Sequence, residues 1–285
     1  MQNNKILTRF APSPTGYLHL GHAYSAMFSE RAARKEGGKF LLRIEDIDQG
    51  RCKTEYEHSI KEDLHWLGLK WEPPVRRQSE HLEDYKRALD KLWELGVVYS
   101  CFCTRRDIKN EIRESNSAPH GLMVSGIGTL YLGKCKNLSI NERDTRYQSG
   151  QSFAVRLDVS KAQDLVGELY WVDKDNGNIT VDPKLLGDVV IARKDIPTSY
   201  HLSVVVDDYL QNVSLVTRGN DLRTVTHIHR LLQALLDYNP PIYQFHRLLT
   251  ADNGKRYAKR DKSKSLKFLR DSGESAAAIR TSLGF

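Results

Sequence analysis

The strongest local signal in the sequence is RFAPSPTGYLHLGH, residues 9–22. The apolar residues from Ile6 to Phe10 predict a short buried strand, and the prolines and the glycine that follow prevent this strand from continuing. A helix is expected to begin near His19 to Gly21 and to run to Glu36, because Gly37-Gly38 supplies a left-handed stop. A strand, a turn and a helix in this order are typical of a nucleotide-binding unit.

The elements that follow extend this unit into a parallel sheet. Lys39 to Ile44 predicts a second buried strand, and the order strand, helix, strand implies parallel pairing. Apolar residues at helical spacing predict amphipathic helices at 54–67 and 82–95. Farther along the chain, strands are predicted at Val189 to Ile191 and at Leu202 to Val206. They precede a helix predicted at 224–238, and we therefore expect the parallel sheet to resume after residue 188.

The segment between these two parts, residues 98–188, differs from them in composition and pattern. It contains cysteines, loops rich in glycine and serine, and alternating apolar residues such as Phe153, Val155 and Leu157. We therefore predict an α/β fold with a Rossmann-type parallel sheet that is interrupted by an inserted α+β module. The predicted division is residues 1–97 for the first half of the Rossmann-type domain, 98–188 for the inserted module, 189–249 for the second half, and 250–285 for a basic loop with a short C-terminal tail.

Composition and charge limit the classes of protein that the chain can represent. Its 285 residues are 40% hydrophobic and 28% charged, which is enough to bury a core without disulfides. No stretch approaches the ~20 consecutive apolar residues that span a bilayer, and the first residues lack an apolar signal region, so we expect a cytoplasmic protein with no membrane partner. We also expect a monomer.

The net charge of +7 suits a polyanionic partner. Much of the excess lies within residues 255–267, and a solvated basic loop is the alternative interpretation.

The turn at residues 9–22 offers a binding site for phosphate. A strand-to-helix turn presents unpaired backbone N–H groups and the positive end of the helix dipole, both of which hold an anion. His19 and His22 lie three residues apart on the first helical turn and share a face, so they can donate hydrogen bonds to phosphate oxygens. Gly21 between them allows a nucleotide to approach closely. Two histidines on a helix can equally be packing residues when nothing else accompanies them.

Three cysteines in the inserted segment suggest a metal site. The Cys101-Phe102-Cys103 spacing and the later Cys135 do not fit a secreted disulfide framework, but they suit metal ligation in a reducing compartment. Three thiolates are one ligand short of a closed tetrahedral zinc site, and His120 in the intervening loop is a chemical candidate for the fourth. Reduced structural cysteines are the alternative, and Cys52 is isolated and interpreted as an ordinary thiol.

Taken together, these motifs closely resemble the class I aminoacyl-tRNA synthetases of the glutamyl branch. HLGH at residues 19–22 takes the place of that family's HIGH motif, and LRIEDID at 42–48 resembles a glutamyl-branch signature. The resemblance implies a HIGH-type nucleotidyltransferase fold that binds ATP with Mg²⁺. It also implies a glutamate pocket formed by Arg9, Ser13, Glu45, Tyr200 and Arg218. Cationic forks for two carboxylates and one acid for an ammonium group suit glutamate on charge alone.

The same resemblance assigns two further sites. RYAKR at residues 256–260 matches the family's mobile KMSKS loop, which places Lys259 beside the phosphates with His19, Gly21 and His22 and makes His19, His22 and Lys259 the catalytic residues. Three positions of this loop depart from the usual residues. In the inserted module, the match supplies Tyr131 as the fourth ligand of a structural zinc ion with Cys101, Cys103 and Cys135, while His120 remains the competitor.

The acceptor of the glutamyl group is suggested by length and by the cysteine pattern. Full-length glutamyl-tRNA synthetases continue into a large anticodon-binding region that has no counterpart in these 285 residues. The chain therefore resembles the truncated paralogues that attach glutamate to queuosine in the anticodon of tRNA(Asp). The alternatives are a truncated core that charges tRNA(Glu) and a catalytically silent RNA-binding paralogue.

Overall fold

The computed structural model describes residues 5–108, 123–124, 128–129, 131–249 and 265–285. The helices in these ranges are α1 (Leu20–Lys35), α2 (Thr54–Trp66), α3 (Leu82–Glu94), α4 (Ile140–Gln148), α5 (Val159–Val166), α6 (Tyr200–Leu210), α7 (Val225–Leu236), α8 (Leu266–Asp271) and α9 (Ala276–Ser282). The strands are β1 (Leu7–Phe10), β2 (Lys39–Ile44), β3 (Glu72–Arg77), β4 (Val98–Cys101), β5 (Met123–Val124), β6 (Gly128–Thr129), β7 (Ala154–Leu157), β8 (Tyr170–Asp173), β9 (Gly177–Thr180), β10 (Val190–Ala192), β11 (Leu215–Gly219) and β12 (Ile242–His246).

A parallel sheet forms the centre of the molecule, as the sequence predicts. Strands β1, β2 and β3 pair in parallel in that order, and β11 pairs in parallel with β12. The two groups meet at β1 and β11, where the Leu7 N–H donates to Ser214 Oγ at 2.9 Å and the Ser214 N–H donates to the Leu7 carbonyl at 3.1 Å. The resulting order, β3-β2-β1-β11-β12, brings the carboxyl ends of β1 and β11 side by side, where α/β sheets bind ligands.

The segment predicted as an inserted module contributes strands to three sheets, one of which consists of β5 and β6 alone. Strand β8 extends the parallel sheet beside β12, where the Lys174 N–H donates to the Tyr243 carbonyl at 2.8 Å, and β9 pairs antiparallel with β8. Strands β4 and β7 form an antiparallel sheet with β10, which lies beyond residue 188. The proposed boundary at residue 188 therefore runs between strands that are hydrogen-bonded to each other, and the domain division stays a prediction.

The two largest of the four hydrophobic cores among the described residues hold these layers together. One lies between α1, β1, β2 and α2 and is closed by the C-terminal helices through the buried Leu266, Ile279 and Leu283. The other joins α3, β4, β7, α5, α6 and α7. The tail of the chain is thus part of the first core, and it lies beside the turn before α1, because the Leu266 N–H donates to the Leu18 carbonyl at 2.7 Å.

One predicted strand is wrong. Leu202 to Val206 belongs to helix α6, not to the sheet. The three valines of this segment have high strand propensity, but α6 packs against α3, α7 and β10, so residues on all its sides are buried. A helix that is buried all round has no amphipathic period, and its apolar run cannot be distinguished from a buried strand.

None of the helices in the described ranges combines the length and the apolar character that crossing a membrane would need.

Candidate active site

A cavity of about 380 Å³ opens where β1 and β11 end and α1 begins. All five residues predicted to bind glutamate line this cavity, together with His22 from the start of α1. The five are Arg9, Ser13, Glu45, Tyr200 and Arg218. Residues separated by up to 209 positions are therefore neighbours, although their roles remain predictions.

Arg9 lies in the cavity wall and is held there by another part of the protein. Its Nε and Nη2 groups donate to the two carboxylate oxygens of Asp208 at 2.9 and 3.3 Å, and its Nη1 donates to the Thr217 carbonyl at 3.2 Å. Asp208 also accepts a hydrogen bond from Arg43 Nη1 at 2.8 Å. The side-on edge of the Arg9 guanidinium is thus already occupied by a carboxylate of the chain itself.

Arg43 anchors this network beneath the cavity and is fully buried. Burial alone would lower its pKa, but the negative charges of Asp208, Asp207 and Glu45 outweigh burial and raise the pKa. For the acid Asp208 the signs are reversed. Burial alone would raise its pKa, but the positive charges of Arg9 and Arg43 hold the pKa below its usual value. The network is therefore a set of ionised groups that compensate one another in the interior.

Glu45 is the acid of this group that lines the cavity. Burial raises its pKa to about 7, and the nearby positive charges of Arg43 and Arg9 oppose this shift only in part. Its Oε1 lies 3.4 Å from Arg43 Nη2. A cationic ligand would suit this acid, because a bound ammonium group would stabilise the carboxylate form against the effect of burial.

Arg218 carries the charge of the cavity that is least compensated. It is 5% exposed, and its Nη1 lies 3.2 Å from Nδ1 of His229. Among the described residues its Nε and Nη2 groups have no hydrogen-bond partner. Buried N–H groups of a cation are costly to leave unsatisfied, so this edge of the guanidinium is suited to bind the carboxylate of a ligand.

The two histidines behind Arg218, His201 and His229, are uncharged. Burial, followed by the positive charge of Arg218, lowers the pKa of His201 to about 4 and that of His229 well below its usual value. Both imidazoles are therefore neutral at physiological pH. The cavity thus presents Arg218 as a cation backed by neutral groups.

The turn before α1 is the place where the sequence predicts an anion site. His19 is the N-cap of α1, and its Nδ1 accepts a hydrogen bond from the Gly21 N–H at 3.1 Å. The His19 N–H donates to His22 Nδ1 at 3.2 Å, and the two rings stack with centroids 3.7 Å apart. The two imidazoles therefore share one face at the helix start, as the spacing predicts, and His22 also reaches the cavity.

A second cavity of about 250 Å³ adjoins the first and shares Ser13, Glu45 and Tyr200 with it. Its polar wall includes Asp48 and Arg193, whose Nη1 donates to Asp48 Oδ2 at 2.9 Å. A group bound in the second cavity would therefore lie next to a ligand bound in the first.

The three cysteines predicted to bind metal come together at β4 and the loop after residue 131. The Sγ atoms of Cys101, Cys103 and Cys135 lie within 4.8 Å of one another, and the Tyr131 hydroxyl lies 3.8 Å from Cys103 Sγ. A tetrahedral zinc ion with bonds of ~2.3 Å to sulfur needs donor atoms at such separations. The donor set fits zinc, and the Tyr131 ring is further fixed by Arg156, whose guanidinium carbon lies 3.9 Å from the ring centroid.

Two predicted site residues, His120 and Lys259, lie outside the described residues, so the choice between Tyr131 and His120 and the position of the KMSKS-like loop stay predictions.

The site predicted from the sequence does not include three residues behind the cavity: Arg43, Asp208 and His229. Arg43 lies within LRIEDID at residues 42–48, but its partner Asp208 is 165 positions away. A charged residue inside a strand or helix that is otherwise apolar was the available signal, because such a residue needs a partner.

The family model for class I tRNA synthetases (E and Q), catalytic domain, matches residues 5–284. The chain belongs to this family. It is 45% identical over 287 residues to the Glutamyl-Q tRNA(Asp) synthetase of Rhodobacter capsulatus, with 98% of this chain and 100% of that protein covered. It is 37% identical to the Glutamate--tRNA ligase of Aquifex aeolicus, with 97% and 56% covered.

Among solved structures, the fold is similar to a glutamate tRNA ligase from Elizabethkingia meningosepticum in complex with its amino acid, with a TM-score of 0.73 and 27% identity. That match covers 92% of this chain and 53% of the ligase chain, so the chain spans about half the length of that structure. The family and the parallel sheet agree, and the predicted HIGH-type fold is confirmed as a class I synthetase catalytic domain.

Proposed function

We propose that this class I synthetase activates L-glutamate with ATP and transfers the glutamyl group to queuosine in the anticodon of tRNA(Asp). The observation that carries the first half is the cavity itself, in which the open Nε–Nη2 edge of Arg218 and the ionisable acid Glu45 line one space beside the start of α1. The acceptor is supported by the higher identity to a Glutamyl-Q tRNA(Asp) synthetase, 45%, than to a glutamate ligase, 37%.

The charges of the cavity select a dicarboxylic amino acid. Arg218 offers a two-point contact to one carboxylate, Glu45 accepts from the ammonium group, and Ser13 and Tyr200 supply hydroxyls. Arg9 contributes positive charge and its remaining N–H groups, since Asp208 holds its side-on edge. A neutral side chain such as that of glutamine would leave the Arg218 charge without an anion.

Activation proceeds by attack of the glutamate α-carboxylate on the α-phosphorus of ATP, which forms glutamyl-adenylate and releases pyrophosphate. His19 and His22 at the helix start, with backbone N–H groups and Lys259 from the KMSKS-like loop, stabilise the negative charge that develops on the phosphates. Mg²⁺ bound with ATP would neutralise part of the phosphate charge. Catalysis is thus positioning and electrostatics, without a covalent enzyme intermediate.

Transfer follows when a hydroxyl of the queuosine cyclopentene ring attacks the activated carbonyl, so that an ester forms and AMP leaves. The second cavity gives this nucleoside a route, because it meets the glutamate cavity at Ser13, Glu45 and Tyr200. Basic residues around the opening would contact the RNA backbone and make binding sensitive to salt. ATP, glutamate and tRNA are all cytoplasmic, so we propose a cytoplasmic enzyme, acting as a monomer.

The cysteine cluster would hold one structural zinc ion through Cys101, Cys103, Cys135 and Tyr131. When bound, the ion would tie β4 to the loop after residue 131.

Transfer assays test the acceptor. Radiolabelled glutamate is incubated with the enzyme, ATP and one of three RNAs: tRNA(Asp) with queuosine, tRNA(Asp) without it, or tRNA(Glu). We expect label only in the first. Label in tRNA(Glu) would assign the chain to the ordinary charging reaction, and equal labelling of both tRNA(Asp) forms would remove queuosine as the acceptor. A silent RNA-binding paralogue would label none of the three.

A further inference from the structure

A chain of hydrogen bonds lies behind Arg218, away from the cavity. Nη1 of Arg218 lies 3.2 Å from Nδ1 of His229, and Nε2 of His229 lies 3.4 Å from Nδ1 of His201. His229 is 2% exposed and comes from α7, whereas His201 comes from the first turn of α6. Two helices therefore supply the groups that fix one arginine of β11.

The direction of each hydrogen bond follows from the chemistry of the groups. Arginine is only a donor, so Nδ1 of His229 must accept, and the imidazole carries its proton on Nε2. That Nε2–H group then donates to Nδ1 of His201. Both rings are neutral at physiological pH, so neither histidine competes with Arg218 for an anion.

The contact with His229 determines which edge of Arg218 is open. It uses Nη1 and leaves Nε and Nη2, whose N–H groups are parallel and together bind a carboxylate at two points. The same edge of Arg9 binds Asp208 in this way, at 2.9 and 3.3 Å. The plane of the Arg218 guanidinium is fixed further by the ring of Tyr243, whose centroid lies 4.7 Å from the guanidinium carbon.

We propose that His229 is a positioning residue that, by accepting a hydrogen bond from Arg218 Nη1, fixes the Nε–Nη2 edge of Arg218 toward a substrate carboxylate and thereby determines selectivity for glutamate over glutamine. This inference rests on the proposed function, because the carboxylate is that of glutamate. His229 does not touch the substrate. Its loss leaves the charge of Arg218 in place but allows the guanidinium to rotate, so recognition of a planar carboxylate weakens more than general attraction of an anion.

A matched pair of amide variants tests this role. In His229→Asn the amide oxygen lies near the position of Nδ1 and can accept from Arg218, whereas in His229→Gln the amide lies near the position of Nε2. Glutamate-dependent exchange of labelled pyrophosphate into ATP is measured with the full chain, and KM for glutamate, KM for ATP and kcat are determined separately. The same assay with glutamine gives the selectivity.

We expect His229→Gln to raise KM for glutamate about 10- to 100-fold, with KM for ATP unchanged and with the glutamate-to-glutamine ratio of kcat/KM reduced. KM for glutamate in His229→Asn should stay within about threefold of the wild-type value, because the asparagine oxygen can still accept the hydrogen bond from Arg218. Equal KM values for wild type and His229→Gln would overturn the proposal, as would equal losses in both amide variants or a parallel rise in KM for ATP. Absence of exchange in the wild type would instead reject the proposed function, so the two failures are distinct.

Discussion

Replacement of Arg218 by alanine should abolish most glutamate activation while leaving the fold intact. The change removes two N–H groups that have no partner among the described residues and that we assign to a glutamate carboxylate. A hydrogen bond to a charged group contributes about 1.5–3 kcal/mol. Two of them give about 3–6 kcal/mol, or a decrease of roughly 10²- to 10⁴-fold in kcat/KM for glutamate.

The fold should tolerate this change because, in the part of the chain that the structure describes, the side chain forms an ion pair with no carboxylate. Within the described residues, the hydrogen bond that is lost is the one to His229, whose Nδ1 would then lack a donor. Leaving that acceptor unsatisfied costs about 1–3 kcal/mol of unfolding free energy. The total free energy of unfolding of a protein is typically ~5–15 kcal/mol. The variant should therefore remain folded, with a lowered midpoint of thermal unfolding.

The assay is glutamate-dependent pyrophosphate exchange at varied glutamate concentration, with Arg218→Lys as the matched control. Lysine keeps the charge but has no planar fork, so it should lose about 10- to 100-fold in kcat/KM, between the wild type and alanine. KM for ATP should not change in either variant. An Arg218→Ala enzyme with a normal KM for glutamate would remove Arg218 from the pocket and refute the assignment.

Three further predictions concern the surrounding groups. Replacement of Asp208 by alanine should destabilise the protein by about 3–5 kcal/mol in chemical denaturation, because Arg9 and Arg43 lose a shared buried counter-ion; unchanged stability would contradict the described network. KM for glutamate should rise up to about tenfold per pH unit as pH falls below about 7, since Glu45 then becomes protonated, and Glu45→Gln should give a high KM without this dependence. A Glu45→Gln enzyme with the wild-type pH profile would exclude Glu45. Elemental analysis should find one zinc per chain, chelation should lower the thermal midpoint, and Cys103→Ser should contain less zinc; metal-free protein of unchanged stability would assign the cysteines to packing.

Local patterns predict much of this fold. The strand at Lys39–Ile44 is confirmed with the predicted bounds, and α1 differs from its prediction by one residue at its C-terminal end. Both elements have clear signals, a buried apolar run in one case and glycines after the helix in the other. The prediction of a strand at Leu202–Val206 is wrong, because a helix that is buried on all sides lacks the periodicity by which a helix is identified.

The site is predicted less completely, because it depends on contacts between distant positions. Motif resemblance placed Arg9, Glu45 and Arg218 in one pocket, and they line one cavity. It did not reveal that Asp208 occupies the side-on edge of Arg9 while the same edge of Arg218 stays open. The Arg9–Asp208 pair spans 199 positions, so no local spacing in the sequence encodes it.

We propose that the cavity at the ends of β1 and β11 binds glutamate for activation. Exchange of labelled pyrophosphate into ATP by the wild-type enzyme tests this proposal when it is measured without tRNA and with glutamate, glutamine or aspartate as the amino acid. We expect rapid exchange with glutamate and little with the other two. No exchange with glutamate, or equal exchange with glutamine, would contradict it.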